Sequence, residues 1–219
     1  MGSRSSYKHV VWDWNGTLLD DAWLSVEITN QLLEQRSLPA LTPERYREVF
    51  GFPLKEYCIR LGFDFAVESF EALSDAFIRM YEARRLECGL QPQAMEVIQA
   101  LRQAGLELSI LSAYRQETLE ELIAHFHLEG FFKRLIGVDN DRGEGKLHKG
   151  KGWRRELQYP GHQILLVGDT LHDLEVAKAM GVVCVLVPSG HQSRARLEVG
   201  GARVMGNLAD VLKVMGMTK

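Results

Sequence analysis

Short apolar runs alternate with amphipathic ones along this chain, and that alternation predicts a parallel sheet covered by helices. Five runs read as strands: 8–13 (KHVVWD), 106–112 (LELSILS), 134–138 (RLIGV), 163–168 (QILLVG) and 182–187 (VVCVLV). Each is brief and apolar, as strands buried on both faces should be. Residues 20–88 follow another pattern, with four helical stretches and nothing resembling a strand. There Thr42-Pro43 marks a helix start, with proline at the first helical position. Leu73, Phe77, Met80 and Tyr81 recur at helical spacing and are expected to face a local core. An all-helical insert between the first two strands reads as a cap over the C-terminal edge of the sheet, the edge where open α/β sheets bind ligands.

Composition narrows the class. The 219 residues, 46% of them apolar, suffice for one sizeable domain with a small insert. A net charge of −3 gives no reason to expect nucleic acid or a membrane as partner. No run approaches the ~20 apolar residues of a membrane span. The opening MGSRSSYK is polar, reads as a loose start and lacks the apolar stretch of a signal peptide. Cys58, Cys88 and Cys184 are odd in number and far apart, which suits reduced thiols in a cytoplasm.

The strand ends carry the chemistry. Strand one ends in Asp13 and strand two in Ser112, while LLVGDTLHD puts Asp169 and Asp173 just after strand four. GEGKLHKGKGW supplies Lys146 at the start of a helix. Parallel strands bring these residues to one edge, where a carboxylate nucleophile, a hydroxyl, an ammonium and two further carboxylates suit phosphoryl transfer. Paired carboxylates hold a hard Mg²⁺ through oxygen. The metal, Lys146 and Ser112 neutralise phosphoryl charge, and Asp13 can attack phosphorus to form an acyl phosphate.

The order Asp-x-Asn-Gly-Thr, Ser, Lys, Gly-Asp-x-x-x-Asp resembles the haloacid dehalogenase (HAD) superfamily of Mg²⁺-dependent phosphatases, over about residues 8–213. The layout is most similar to the phosphoglycolate phosphatase-like branch with small α-helical caps. The resemblance implies a Rossmann-like three-layer α/β core, residues 1–19 and 89–219, with the five strands in order 5-4-1-2-3 and an α-helical cap at 20–88. It implies that Asp13 is nucleophile and metal ligand, that Asn15 offers its backbone carbonyl to the metal, and that Asp169 is a further ligand. Asp173 is expected at the metal site too, holding Lys146 or a metal-bound water. Thr17, Ser112, Ala113 and Lys146 would position the phosphoryl group. The family usually has proline after the lysine, where this chain has Leu147, and Lys149 is the second candidate.

Other residues near these motifs have milder expectations. Asp20 and Asp21 are expected to cap the next helix. His125 and His127 are expected in ordinary packing; His172 and His191 fall near the site and could touch substrate, with ordinary packing the leading expectation. Tyr114 and Arg115 follow Ser112 directly and are candidates to touch substrate. In the VFGFPLKEY loop (49–57), Arg47, Phe52 and Lys55 are candidates for specificity.

Asn15 departs from the pattern. The family's phosphatases carry an aspartate there, which protonates the leaving alcohol and later activates water. An amide can do neither, and acid–base help is typically worth ~10²–10⁴-fold. The expectation is therefore a cytoplasmic Mg²⁺ phosphatase for a small phosphorylated metabolite, with a substrate that tolerates the amide. The alternative is a weak or inactive relative that binds a phosphorylated ligand or a partner protein.

Overall fold

The structure, a computed structural model, describes residues 6–140 and 145–217. The expected loose start at 1–5 and Gly143-Glu144 of the lysine motif lie outside the described residues.

The first half contains β1 (His9–Trp12), β2 (Leu19–Asp20), α1 (Ala22–Glu34), α2 (Pro43–Val49), α3 (Leu54–Arg60), α4 (Phe70–Arg84) and β3 (Gly89–Leu90). Then follow α5 (Ala94–Gln103), β4 (Glu107–Arg115), α6 (Gln116–His125), β5 (Arg134–Val138) and α7 (Lys146–Glu156). The chain ends through β6 (Ile164–Gly168), α8 (Leu171–Met180), β7 (Val183–Leu186), α9 (Arg194–Val199), β8 (Arg203–Val204) and α10 (Asp210–Val214).

Six strands form one sheet in the order β5-β4-β1-β6-β7-β8, and every pairing in it is parallel. The five expected strands thus stand in the expected order, with β8 added at one edge. A second, antiparallel pair joins β2 to β3. Neither β8 nor this pair was legible, because two residues carry no period.

β1 is central, and its alternate side chains serve opposite layers. Val10 and Trp12 pack with Ile98 and Leu101 of α5 and Leu122 of α6, whereas Val11 packs with Trp153 of α7 and Val176 of α8. These three side chains are fully buried, and Val10 and Val11 each contribute about 1.5–3 kcal/mol by leaving water. This is the three-layer Rossmann-like core.

Helices α1 to α4 lie between β2 and β3. The Thr42 hydroxyl accepts from the Arg45 amide at 3.1 Å with Pro43 behind it, as the sequence predicts, and Ser69 caps α4 in the same way. Leu73 and Tyr81 of α4 are buried and Phe77 and Met80 partly so, all within the main apolar cluster. No helix of the described residues is long and apolar enough to cross a membrane.

Candidate active site

The sheet edge assembles the site. The Asp13 amide donates to the Val167 carbonyl at 2.9 Å, extending the β1–β6 ladder by one residue, so the carboxylate leaves the sheet from a fixed backbone. β6 ends at Gly168, with Asp169 and Thr170 leading into α8. Two loops then close on Asp169. A Cβ on Gly16 would fall 2.4 Å from Asp169 Oδ2, and one on Gly190 would fall 2.2 Å from the same oxygen. Gly16 also has φ +74°, so only glycine suits it.

Asp13, Asp169 and Asp173 are all buried, and each offers a carboxylate oxygen within 4.8 Å of the others. Lys146, at the first turn of α7 and only 3% exposed, sits among them. Its ammonium donates to Asp13 Oδ1 at 2.5 Å and to Asp173 Oδ1 at 2.6 Å. The Thr17 hydroxyl lies 3.0 Å from Asp13 Oδ2 and 2.9 Å from Asp169 Oδ1. Asp173 Oδ2 accepts from the Thr170 amide and hydroxyl at 3.0 and 2.7 Å, which also caps α8.

The charges are unevenly matched. Burial and the Asp173 charge raise the Asp13 pKa, against the pull of Lys146. Burial holds Asp169 well above the usual carboxylate range, opposed by His191 and reinforced by Asp13. Burial would also raise Asp173, but Lys146 outweighs it and keeps that carboxylate ionised. Burial disfavours the Lys146 ammonium too, yet Asp13 and Asp173 prevail and raise its pKa. Three buried carboxylates, two of them with raised pKa values, against one lysine offer hard oxygen donors that fit a divalent cation such as Mg²⁺.

A second buried network adjoins the first. Asn15 Nδ2 donates to Asp21 Oδ2 and to the Tyr81 hydroxyl, both at 3.0 Å. Asp21 accepts further bonds from the Gly16 amide at 2.7 Å and the Tyr81 hydroxyl at 2.6 Å. His191 Nε2 stands 3.4 Å from Asp21 Oδ1, its amide donates to Asp169 Oδ2 at 2.6 Å, and its Nδ1 meets the Tyr46 hydroxyl at 2.7 Å. Burial alone would lower the His191 pKa, but Asp21 and Asp169 overcome it and carry the imidazole to about 9. Burial alone would raise Asp21, and His191 more than reverses that.

Several expected residues are found beside these networks. Ser112 is buried, with its hydroxyl 3.5 Å from Asn15 Oδ1 and accepting from the Tyr114 amide at 3.0 Å. Ala113 lines, with Asp13, Ser112 and Lys146, a cavity that opens from the carboxylate cluster. β4 runs on past Ser112 to Arg115, with its register broken between Leu111 and Arg115, so Ser112 and Ala113 sit on an irregular stretch. Lys149 lies away from the cluster and pairs with Asp139 at 2.6 Å. Phe52 packs on His172 with ring centroids 4.7 Å apart, and Arg47 Nε donates to the Gly190 carbonyl at 3.1 Å. Lys55 instead lies over the Phe65 ring at 5.5 Å.

Two expectations fail. Neither Asp20 nor Asp21 caps α1: Asp20 ends β2, and Asp21, at the position before α1, turns its carboxylate inward to Gly16, Asn15 and Tyr81. His191 is not ordinary packing, since its buried imidazole lies 3.4 Å from Asp21 and its amide binds Asp169, and both carboxylates push its pKa up to about 9. Its location in the loop after β7, at the ligand-binding edge, was the available signal. Tyr46 and Tyr81 gave none, because aromatic residues at helical spacing read as core.

The profile of haloacid dehalogenase-like hydrolases matches residues 10–187. The chain is 27% identical over 188 residues to tyrosine-protein kinase PtkA of Mycobacterium tuberculosis, covering 83% of this chain but 62% of that protein. It is also 27% identical over 212 residues to a phosphoglycolate phosphatase of Caulobacter vibrioides, covering 93% of this chain and 89% of the relative. A predicted phosphatase from Clostridium acetobutylicum has a similar fold, with TM-score 0.79 at 19% identity over 94% of this chain and 97% of that one. With that profile spanning most of its length, the chain belongs to the haloacid dehalogenase-like hydrolase family.

Proposed function

We infer that the protein is a Mg²⁺-dependent phosphatase of small phosphorylated metabolites, working through an aspartyl phosphate on Asp13. The reading treats residues 1–19 and 89–219 as the core and 20–88 as the cap. The observation that carries it is the Lys146 ammonium bridging Asp13 and Asp173 beside Asp169, at the C-terminal edge of the sheet. Phosphoglycolate phosphatases among the relatives support the reaction class. The free thiols of all three cysteines agree with a reducing cytoplasm.

Asp13, Asp169 and the Asn15 backbone carbonyl would hold the Mg²⁺, with Asp173 at the margin. Bound there, the ion supplies positive charge to the phosphoryl oxygens. Lys146 pulls the Asp13 pKa down against burial and orients one of its oxygens, while Asp173 fixes Lys146. An Asp13 oxygen bonds to phosphorus as the ester P–O bond breaks and the leaving group departs with that electron pair. Ser112 and the Ala113 backbone position the transferring group. Water then attacks phosphorus and gives up a proton to solvent, the bond from Asp13 oxygen to phosphorus breaks with its electron pair returning to the carboxylate, and phosphate is released. Asn15 has no proton to give or take, so both steps proceed without the help of an acid at that position.

The test is phosphate release from alkyl, aryl and acyl phosphates, with Mg²⁺ and with a chelator. Turnover that needs Mg²⁺ and vanishes in Asp13→Ala is expected. Turnover near the native level in Asp13→Ala would overturn the mechanism.

A further inference from the structure

The cluster of carboxylates opens into a cavity of about 230 Å³ that runs from Asp13 and Lys146 up among helices α1 to α4. Its walls there are Leu32, Phe50, Tyr57, Phe63, Leu73 and Phe77, with a few small polar groups such as Ser74. Among the wall residues from α1 through α4, no lysine, arginine or histidine occurs, and the sole carboxylate is Glu82. Glu82 is already engaged by the Tyr114 hydroxyl and by Arg85. For comparison, an apolar cavity of about 150 Å³ takes a benzene ring.

Resting on the phosphatase reading above, we propose that the substrate is an aryl phosphate, a phosphate monoester of a phenol whose ring fills this aromatic-walled cavity. Two independent features of the chain meet in that assignment. The first is the wall. The cations of the cavity, Lys146, Arg115, His172 and His191, all come from the sheet edge, so a substrate carboxylate carried up among α1 to α4 would be buried without one, which is costly. An aromatic ring instead gains both area burial and ring–ring contacts. The second is Asn15. An alkoxide needs a proton to leave and Asn15 supplies none, but a phenol resembles a tyrosine side chain, with a pKa of about 10. It leaves as phenolate: the bond from Asp13 oxygen to phosphorus forms, the aryl P–O bond breaks, the phenolate keeps the electron pair, and it takes its proton from water after departure. The apolar wall and the missing acid thus select one leaving group.

The test compares kcat/KM for 1-naphthyl phosphate, hexyl phosphate and phosphoglycolate with Mg²⁺. Naphthyl phosphate is expected to lead both others by about 10² or more, the lower range of a missing general acid. Ser74→Phe, which fills the cavity from a half-buried position, is expected to raise KM for naphthyl phosphate about tenfold, within the range for a changed apolar pocket. Should that variant fail to fold, 1-naphthol is expected to inhibit the native enzyme competitively and more strongly than glycolate. Hexyl phosphate or phosphoglycolate turned over as well as naphthyl phosphate would overturn the inference while leaving a phosphatase. If no phosphate is turned over, the phosphatase reading fails, and calorimetric titration decides the pocket. Binding of naphthyl phosphate tenfold tighter than phosphoglycolate supports it, and equal or absent binding overturns it.

Discussion

The Asn15 amide and the Asp21 carboxylate are direct partners, 3.0 Å apart, inside a network closed by Tyr81 and His191. The amide at position 15 therefore answers an acid six residues on. An aspartate at 15 would set two carboxylates against each other in a buried place, raising one pKa strongly. Asn15→Asp alone is expected to lower the melting temperature by several degrees, on the scale of a 1–3 kcal/mol buried-polar mismatch. It is also expected to add little on alkyl phosphates, because one of the two acids stays locked by the other. Asn15→Asp with Asp21→Asn exchanges donor and acceptor. That double variant is expected to recover the melting temperature and raise kcat/KM on hexyl phosphate by about 10²-fold or more. Thermal melts and initial rates on both variants check it, and an unchanged melting temperature in the single variant would refute the coupling.

Lys146 holds apart two carboxylates that burial already disfavours. Lys146→Met is expected to cut kcat by at least about 10² and to destabilise the metal-free protein by about 3–5 kcal/mol, the usual result of unpairing a buried charge. Urea unfolding with and without Mg²⁺ reads this, and added Mg²⁺ should restore part of the loss. Full stability without metal would contradict the assigned role.

Divalent cation and protein stability should be linked. Mg²⁺ at a hundredfold excess over its dissociation constant is expected to stabilise the fold by about 2.7 kcal/mol. In Asp169→Asn the shift should disappear, while the metal-free melt should not fall, since the variant relieves a carboxyl held well above its usual range by burial. A Mg²⁺ shift of native size in Asp169→Asn would place the ion elsewhere.

His9, away from the site, sets a pH dependence. Burial lowers its pKa from 6.5 to about 4, and its Nε2 meets the Ser109 hydroxyl at 2.7 Å. The unfolded chain takes up a proton below about pH 6.5 that the folded chain refuses until about pH 4. Stability from this residue is thus complete above pH 6.5 and declines as pH falls towards 4, by on the order of 3 kcal/mol. His9→Gln should flatten that part of the stability profile in urea titrations at stepped pH. An identical slope in variant and native protein would refute the assignment.

Much of this architecture was readable beforehand because parallel strands advertise themselves as apolar runs. Asp13, Ser112, Asp169 and Asp173 stood at their ends, and the sheet brings all four to one edge. Lys146 was distinguished from Lys149 by opening its helix, and only Lys146 reaches the carboxylates. The Asp21 to His191 network was hidden for a physical reason. Its members come from the turn after β1, two helices of the insert and the loop after β7, so no local pattern joins them. Tyr46 and Tyr81 look like core from sequence because their rings are core; only their hydroxyls are not.

Those two hydroxyls have an evolutionary corollary. Helices α2 and α4 do not merely roof the sheet, for Tyr46 reaches His191 and Tyr81 reaches both Asn15 and Asp21. Transplanting a relative's helices without tyrosines at these places would leave the buried His191 and Asp21 without two of their hydrogen-bond partners. The two halves of this chain therefore cannot be shuffled as independent modules, and descent should change positions 15, 21, 46, 81 and 191 as a set.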